Sequence, residues 1–236
     1  MRINKYLSSI GVASRRAVDK LISENRVRIN KNYARLGDQV DPQKDGIEVD
    51  NKPVSKTNPF FEYIILNKPE GVISSTVDTH DRQTVLDLVP NKSRLYPVGR
   101  LDYDSSGLIL LTNDGDLALK LTHPRFHLPK TYHVTVTGLV DDRKINKLKK
   151  GVDLEDGKTL PCDISIITRH PGNTVLEIIL YQGKKRQIRR MCESVSLKVW
   201  KLHRVAIGPI TIGELKSGKY RHLKKDEISR LKQISI

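Results

Sequence analysis

Two short segments carry the residues whose types and spacing could do chemistry. The first is Gly99-Arg100-Leu101-Asp102-Tyr103-Asp104-Ser105-Ser106-Gly107, a polar, glycine-flanked stretch between the apolar segments Leu95 to Val98 and Leu108 to Leu111. Loops held by buried strands are where functional groups collect. Asp102 and Asp104 are two carboxylates two positions apart. They suit carboxylate chemistry, and they equally suit a turn in which each Asp caps a backbone amide. The second segment is Gly183-Lys184-Lys185-Arg186-Gln187-Ile188-Arg189-Arg190-Met191. A helix over 184–194 would place Arg186, Arg189 and Arg190 on one face, at i, i+3 and i+4. Ile188, Met191 and Cys192 would lie toward the other side. A glycine at a helix start followed by cations suits phosphate. A guanidinium there could also hold a buried carboxylate ionised. An ordinary solvated basic helix fits the same residues. Tyr132, near the start of a strand-like run, offers a ring that could stack on an unstacked base or sit half-buried in a core. Leu202 to Gly208 is apolar with one cation, Arg204, and could wall a pocket.

These groups need a scaffold, and the surrounding pattern supplies one. Tyr63 to Leu66 and Gly107 to Thr112 read as buried strands, and Thr131 to Thr137 alternates with Tyr132, Val134 and Val136 on one face. Asp141 caps a helix containing Ile145 and Leu148, closed by Gly151. Strands follow at about 162–168 and 174–181, then Val199 to Leu202 and Lys219 to Leu223, with a last helix near 225–233. Strands in runs with few alternating helices predict a mixed, mainly antiparallel α+β domain.

The first part of the chain reads separately. Arg2 to Ile10 is a short helix ended by Gly11, and Ser14 caps a second, 15–24, burying Ala17, Val18, Leu21 and Ile22. Arg26 to Asn30 alternates as a strand. Ser55-Lys56-Thr57-Asn58-Pro59 is the linker, so the expected domains are 1–58 and 59–236. Residues 1–35 hold nine basic side chains against two acidic ones. With the other helix faces apolar, Arg2, Lys5, Arg15, Arg16, Lys20 and Arg28 form a surface suited to phosphates without reading sequence, though an ordinary solvated helix face fits the same residues.

Composition narrows the classes. The 236 residues carry 42 Lys and Arg against 27 Asp and Glu, a formal charge of +15, which points to a polyanionic partner. No apolar run reaches the length of a membrane span, and the N-terminus lacks a secretory signal, so a cytoplasmic protein is expected. Cys162 and Cys192 sit among apolar neighbours and read as core residues. The seven histidines show no metal-ligand spacing, so no metal is expected.

In order along the chain stand Asn67-Lys68-Pro69-Glu70-Gly71-Val72, Tyr96 to Asp102, Gly107 to Gly115, Lys130-Thr131-Tyr132, Gly183 to Met191 and Arg204-Val205-Ala206-Ile207-Gly208. With these six segments the chain resembles the pseudouridine synthases of the RsuA/RluB/RluE/RluF family over nearly its whole length, most closely the RluB branch. Its first sixty residues resemble the alpha-L RNA-binding domain that precedes the catalytic domain there. The resemblance implies isomerisation of a uridine in ribosomal RNA, with large-subunit 23S rRNA favoured over 16S and no cofactor. It implies Asp102 as the catalytic residue and Arg100 as the side chain that fills the gap left by the flipped uridine. It implies Tyr132 stacking on the target base, and Arg189 pairing with Asp102. Lys184, Lys185, Arg186 and Arg190 are expected to contact RNA. The expected partner is a structured rRNA stem-loop or a pre-ribosomal particle, bound by a monomer. Two rivals compete with this reading. One is a non-catalytic RNA-binding or ribosome-assembly protein, which would have no use for a carboxylate in a basic groove. The other is a nucleoside or glycoside hydrolase, which generally uses two carboxylates about 5–10 Å apart.

Overall fold

A computed structural model describes residues 1–55, 60–90 and 94–234. The chain divides into two compact units, Met1–Glu62 with Asn113–Gly115, and Tyr63–Thr112 with Asp116–Ile236. The expected boundary at 58/59 and most of the expected linker lie outside the described residues.

The first unit opens with α1 (Ile3–Ser9) and α2 (Arg15–Ser23), followed by β1 (Val27–Ile29), β2 (Asn32–Tyr33), β3 (Ile47–Val49) and β4 (Lys52–Pro53). The strands form a small antiparallel sheet in the order β2-β1-β3-β4. Ser14 caps α2 as expected, its side chain accepting from the Ala17 amide at 3.1 Å. The helices are held by Ile3, Leu7, Val18 and Ile22, which pack on Val27 and Ile47. Ala17, expected inside, is exposed, and Leu21 is only half-buried. Helices this short against so small a sheet bury only a narrow stripe.

The second unit is built on nine strands. They are β5 (Tyr63–Lys68), β6 (Tyr96–Val98), β7 (Ser106–Thr112), β8 (Lys130–Thr137), β9 (Asp163–His170), β10 (Asn173–Leu180), β11 (Val199–Ile207), β12 (Ile210–Thr211) and β13 (Tyr220–His222). The main order is β13-β5-β7-β11-β8-β10-β9, with β6 on β7 and β12 on β11. Among the strands of the described residues, only the β7–β11 pairing is parallel, apart from an isolated bridge between Ile73 and Thr84. This is the mixed, mainly antiparallel α+β domain that the strand pattern predicts. The helices are α3 (Gly115–Thr122), α4 (Asp142–Lys149), α5 (Gln187–Glu193) and α6 (Lys225–Lys232). Among the described residues no helix is long and apolar enough to cross a membrane.

Every residue of β5 and β7 is buried, which explains their continuous apolar runs. Helices α4 and α5 pack on one face of β8, β10 and β11, burying Ile145, Leu148, Met191 and both cysteines against Val134, Val136 and Leu176. Asp141 caps α4 through the Lys144 amide at 2.7 Å. The basic helix expected over 184–194 is shorter: α5 begins at Gln187, and Arg186 precedes it in the left-handed conformation, φ 49°. The chain therefore turns at Arg186, and Arg186 does not continue the helical face of Arg189 and Arg190.

Candidate active site

The polar segment from Gly99 to Ser105 connects β6 to β7, so two buried strands fix both of its ends. Its backbone is tied down at several points. The Ser74 hydroxyl donates to the Leu101 carbonyl at 2.9 Å and accepts from the Leu101 amide at 3.1 Å. The Ser105 amide donates to the Asp102 carbonyl at 3.1 Å, and the Gly71 amide to the Tyr103 carbonyl at 2.9 Å. The loop is rigid on both sides of Asp102, while the Asp102 carboxylate itself is left open. Among the described residues no hydrogen bond or ion pair reaches it. It caps nothing, so the turn-capping reading of this residue fails.

Asp104 behaves differently. Arg186 donates to both of its carboxylate oxygens, at 3.0 and 2.8 Å. Arg189 donates from Nη2 to the Asp104 carbonyl at 2.6 Å, and its Nε lies 3.3 Å from Oδ2. The Arg186 hydrogen bonds, with the charges of both arginines, hold the Asp104 carboxyl below its ordinary range against some desolvation. This corrects an expectation: Arg189 lies on Asp104, and no ion pair joins it to Asp102. The left-handed turn at Arg186 lets Arg186 approach Asp104 from outside the helix while Arg189 approaches from within it.

A cleft of about 360 Å³ opens beside the loop. Asp102, Arg100, Tyr132, Lys130 and Arg204 line it, together with Lys184, Lys185 and Arg186. It thus gathers residues from four separated stretches of sequence. Arg189 and Arg190 lie outside this lining. Arg190 makes a two-point pair with Asp156, at 2.9 and 3.1 Å. Lys184 also turns toward the same loop, donating to the Asp156 and Gly157 carbonyls at 2.7 and 2.6 Å. Arg100 and Lys185 are exposed, and Tyr132 is half-buried against the core.

Two further cations stand in this region: Arg204, whose segment reads as a pocket wall and does line the cleft, and Lys68, to which the sequence gives no role. Arg204 is only 3% exposed. Its Nε donates to the Leu108 carbonyl at 2.7 Å, and its Nη1 reaches the Arg100 carbonyl at 3.5 Å. Its Nη2 has no hydrogen-bond partner among the described residues, and no carboxylate pairs with it. A buried guanidinium with a spare N–H, in the wall of a cleft, is costly unless something fills the cleft. Gly107 makes the close approach possible, because a Cβ there would overlap the Arg204 backbone and its φ is 109°. Lys68, at the end of β5, is fully buried and donates to the Val72 and Pro69 carbonyls at 2.7 and 2.9 Å. Burial pushes its pKa down to about 8, opposed by the charges of Glu70, Asp102 and Asp104. The sequence signal for Lys68 is a cation closing a strand that opens with the apolar run Tyr63 to Leu66. For Arg204 it is the single cation in Leu202 to Gly208.

In the first unit Arg2, Arg15, Arg16 and Lys20 are exposed and Lys5 is half-buried. Lys20 lies 3.8 Å from Glu24. Arg28 donates to the Tyr33 hydroxyl at 2.9 Å and stacks over that ring.

The family model for RNA pseudouridylate synthases matches residues 62–194, a span that carries most of the cleft lining, and that of the S4 domain matches residues 1–47. The chain belongs to the RNA pseudouridylate synthase family. An uncharacterized RNA pseudouridine synthase of Aquifex aeolicus is 44% identical, over 98% of this chain and 93% of that protein. Ribosomal large subunit pseudouridine synthase B of Bacillus subtilis is 38% identical, over 99% and 96%. A crystal structure of a pseudouridylate synthase superposes with a TM-score of 0.69 at 29% identity, covering 98% of this chain and 99% of the other. As a pseudouridine synthase with an S4 domain, the chain binds RNA as its substrate.

Proposed function

We propose that this pseudouridine synthase isomerises a specific uridine of large-subunit ribosomal RNA, acting as a cytoplasmic monomer with Asp102 as its catalytic carboxylate. Support for the rRNA class comes from the relatives of Bacillus subtilis and Pseudomonas aeruginosa, both named ribosomal large subunit pseudouridine synthase B, at 38% and 37% identity. Support for Asp102 comes from one observation above the others. It is the carboxylate of the cleft that no hydrogen bond or ion pair reaches among the described residues, on a loop whose backbone is held by hydrogen bonds.

The reaction breaks the bond between uracil N1 and the ribose, turns the ring, and joins it again through C5. The C5 proton leaves and N1 regains one, so atoms and electrons balance without a donor or redox partner. The target base must first leave the RNA stack, which costs a few kcal/mol. Tyr132 stacking, worth about 1–3 kcal/mol, and Arg100 in the vacated gap offset that cost. Asp102 then acts beside sugar and base through its carboxyl group; an amide cannot replace it on either route, attack on the base or assistance at the sugar. Arg186 and Arg189 act one step removed, by holding Asp104 and so the loop. The S4 module, with Arg2, Lys5, Arg15, Arg16, Lys20 and Arg28, contributes position and affinity rather than base identity.

The test is tritium release from ribosomal RNA transcripts labelled at uridine C5, with the native protein and Asp102→Asn side by side. Release from large-subunit RNA by the native protein alone is expected, with RNA affinity nearly equal in the two. Turnover by Asp102→Asn at the native rate, or loss of binding together with turnover, overturns the assignment of Asp102. Release from small-subunit RNA alone overturns the substrate.

A further inference from the structure

The chain has a single tryptophan, Trp200, and it is 71% exposed. An isolated exposed aliphatic side chain is ordinary, but an indole is the largest apolar group a protein can leave in water. Its position on β11 gives a reason for the exposure. Against β8, Val199 pairs with Val136 and Lys201 pairs with Thr135, so Trp200 is the extra residue of a β-bulge. Bulges re-aim a side chain that regular alternation would place elsewhere, and they recur beside active sites.

The surroundings are cationic. Lys198 and Lys201 flank Trp200 in sequence and both are exposed. Adjoining it is a groove of about 370 Å³ lined by Arg189, Glu193, Ser196, Leu197, Lys198 and Val199. Glu193 is its one acidic group among the described lining residues. The groove is also tied to the catalytic loop. Arg189 donates from Nη1 to the Val199 carbonyl at 3.4 Å and from Nη2 to the Asp104 carbonyl at 2.6 Å. One guanidinium therefore braces the loop of Asp102 at one end and the residue before Trp200 at the other.

We propose that Trp200 is a stacking platform for an unpaired nucleobase of the RNA substrate, outside the catalytic cleft, with Lys198 and Lys201 on the adjoining phosphates. Every base presents a π-face, so such a platform is tolerant of sequence, and neighbouring lysines track the backbone. A flat apolar ring framed by cations matches single-stranded RNA better than it matches an apolar protein surface, which would leave the lysines without partners. The platform rests on the substrate being RNA, and not on which ribosomal subunit supplies it.

Because Trp200 is the chain's sole tryptophan, its emission reports this site directly in the full-length protein. Titration with a large-subunit rRNA transcript and with single-stranded oligouridylate is expected to quench it. Trp200→Ala is expected to weaken binding roughly 5- to 100-fold, with Trp200→Phe between it and the native protein and all three melting alike. The slope of affinity against salt is expected to stay unchanged in Trp200→Ala and to fall by about 0.7–0.9 in Lys198→Ala. Unquenched emission, or equal affinity of Trp200→Ala and native protein, overturns the platform. So does a Trp200→Ala variant whose only change is in self-association, which would make the surface a contact between copies of this chain. Tritium release by the native protein scores the enzymatic reading separately from either result.

Discussion

Charge is used in opposite ways in the two compact units. In the N-terminal unit it stands in water: Arg2, Arg15, Arg16 and Lys20 are exposed, and the Arg26–Asp50 pair at 2.6 Å is about half exposed at each side chain. Such pairs add little to stability, because water already solvates both partners. Around the cleft of the second unit, Arg100, Lys185 and Arg186 are also exposed, but two cations there are enclosed. Lys68 and Arg204 are buried, each held by backbone carbonyls rather than by a carboxylate. Exposed cations raise affinity for a polyanion in proportion to the phosphates they meet. An enclosed one in the cleft wall, as Arg204 is, would act at short range on whatever occupies the cleft, where little water screens it. The comparison teaches that a net charge of +15 is a sum over two kinds of cation with different work.

Four measurements would break or sharpen that contrast. Asp102→Asn is expected to lower turnover by at least about 10³-fold, the scale of losing a reacting group, with rRNA affinity nearly unchanged. Arg204→Gln is expected to cost about 10²-fold in kcat, the scale of one preorganised donor, with Arg204→Lys recovering part of it. Equal kcat in all three proteins would mean that the enclosed guanidinium only supports the fold.

The third measurement concerns a half-buried ion pair away from the cleft. Arg221 donates to both oxygens of Glu227, at 2.7 and 2.8 Å, and these bonds with the Lys224 amide hold the Glu227 pKa down to about 2 from 4.5. A depressed carboxylate stabilises the folded state fully above its ordinary pKa, and that stability is lost as pH falls through the folded value. Melting temperature should therefore fall between pH 4.5 and 2 by the equivalent of on the order of 2 kcal/mol. Glu227→Gln should flatten that fall, and parallel native and variant curves would show that the pair adds nothing. The smallest expected effect belongs to the exposed surface. The double variant Arg15→Ala, Arg16→Ala should weaken RNA binding by about tenfold or less and flatten the salt slope by about 1–2, leaving kcat at saturating RNA unchanged. A kcat loss there would remove the distinction between the two kinds of cation.

Much of the scaffold could be read from the chain. The caps at Ser14 and Asp141 form as expected, because an N-cap depends on a few adjacent residues. The alternation of Val134 and Val136 on β8 and the unbroken apolar runs of β5 and β7 became buried strands, since period and run length are local properties. The span of α5 was overread. Lys184 to Gln187 is an uninterrupted polar and basic run, and nothing in it marks Arg186 as the left-handed residue that stops the helix.

The sequence by itself determined which side chains are available: a carboxylate pair on a short loop between apolar strands, a basic run near residue 186, a ring at Tyr132, and a cationic N-terminal module. Their order along the chain also identified the family. Only the tertiary structure decided the partners. Asp104, not Asp102, receives Arg186 and Arg189. Arg190 goes to Asp156, Arg204 closes over the Leu108 carbonyl, and a bulge leaves Trp200 in solvent. The physical reason is range. Capping and alternation act between residues a few positions apart. These pairings join residues 34 to 96 positions apart, and the one between Arg204 and Leu108 depends on β11 lying parallel against β7 at a glycine whose missing Cβ leaves the room.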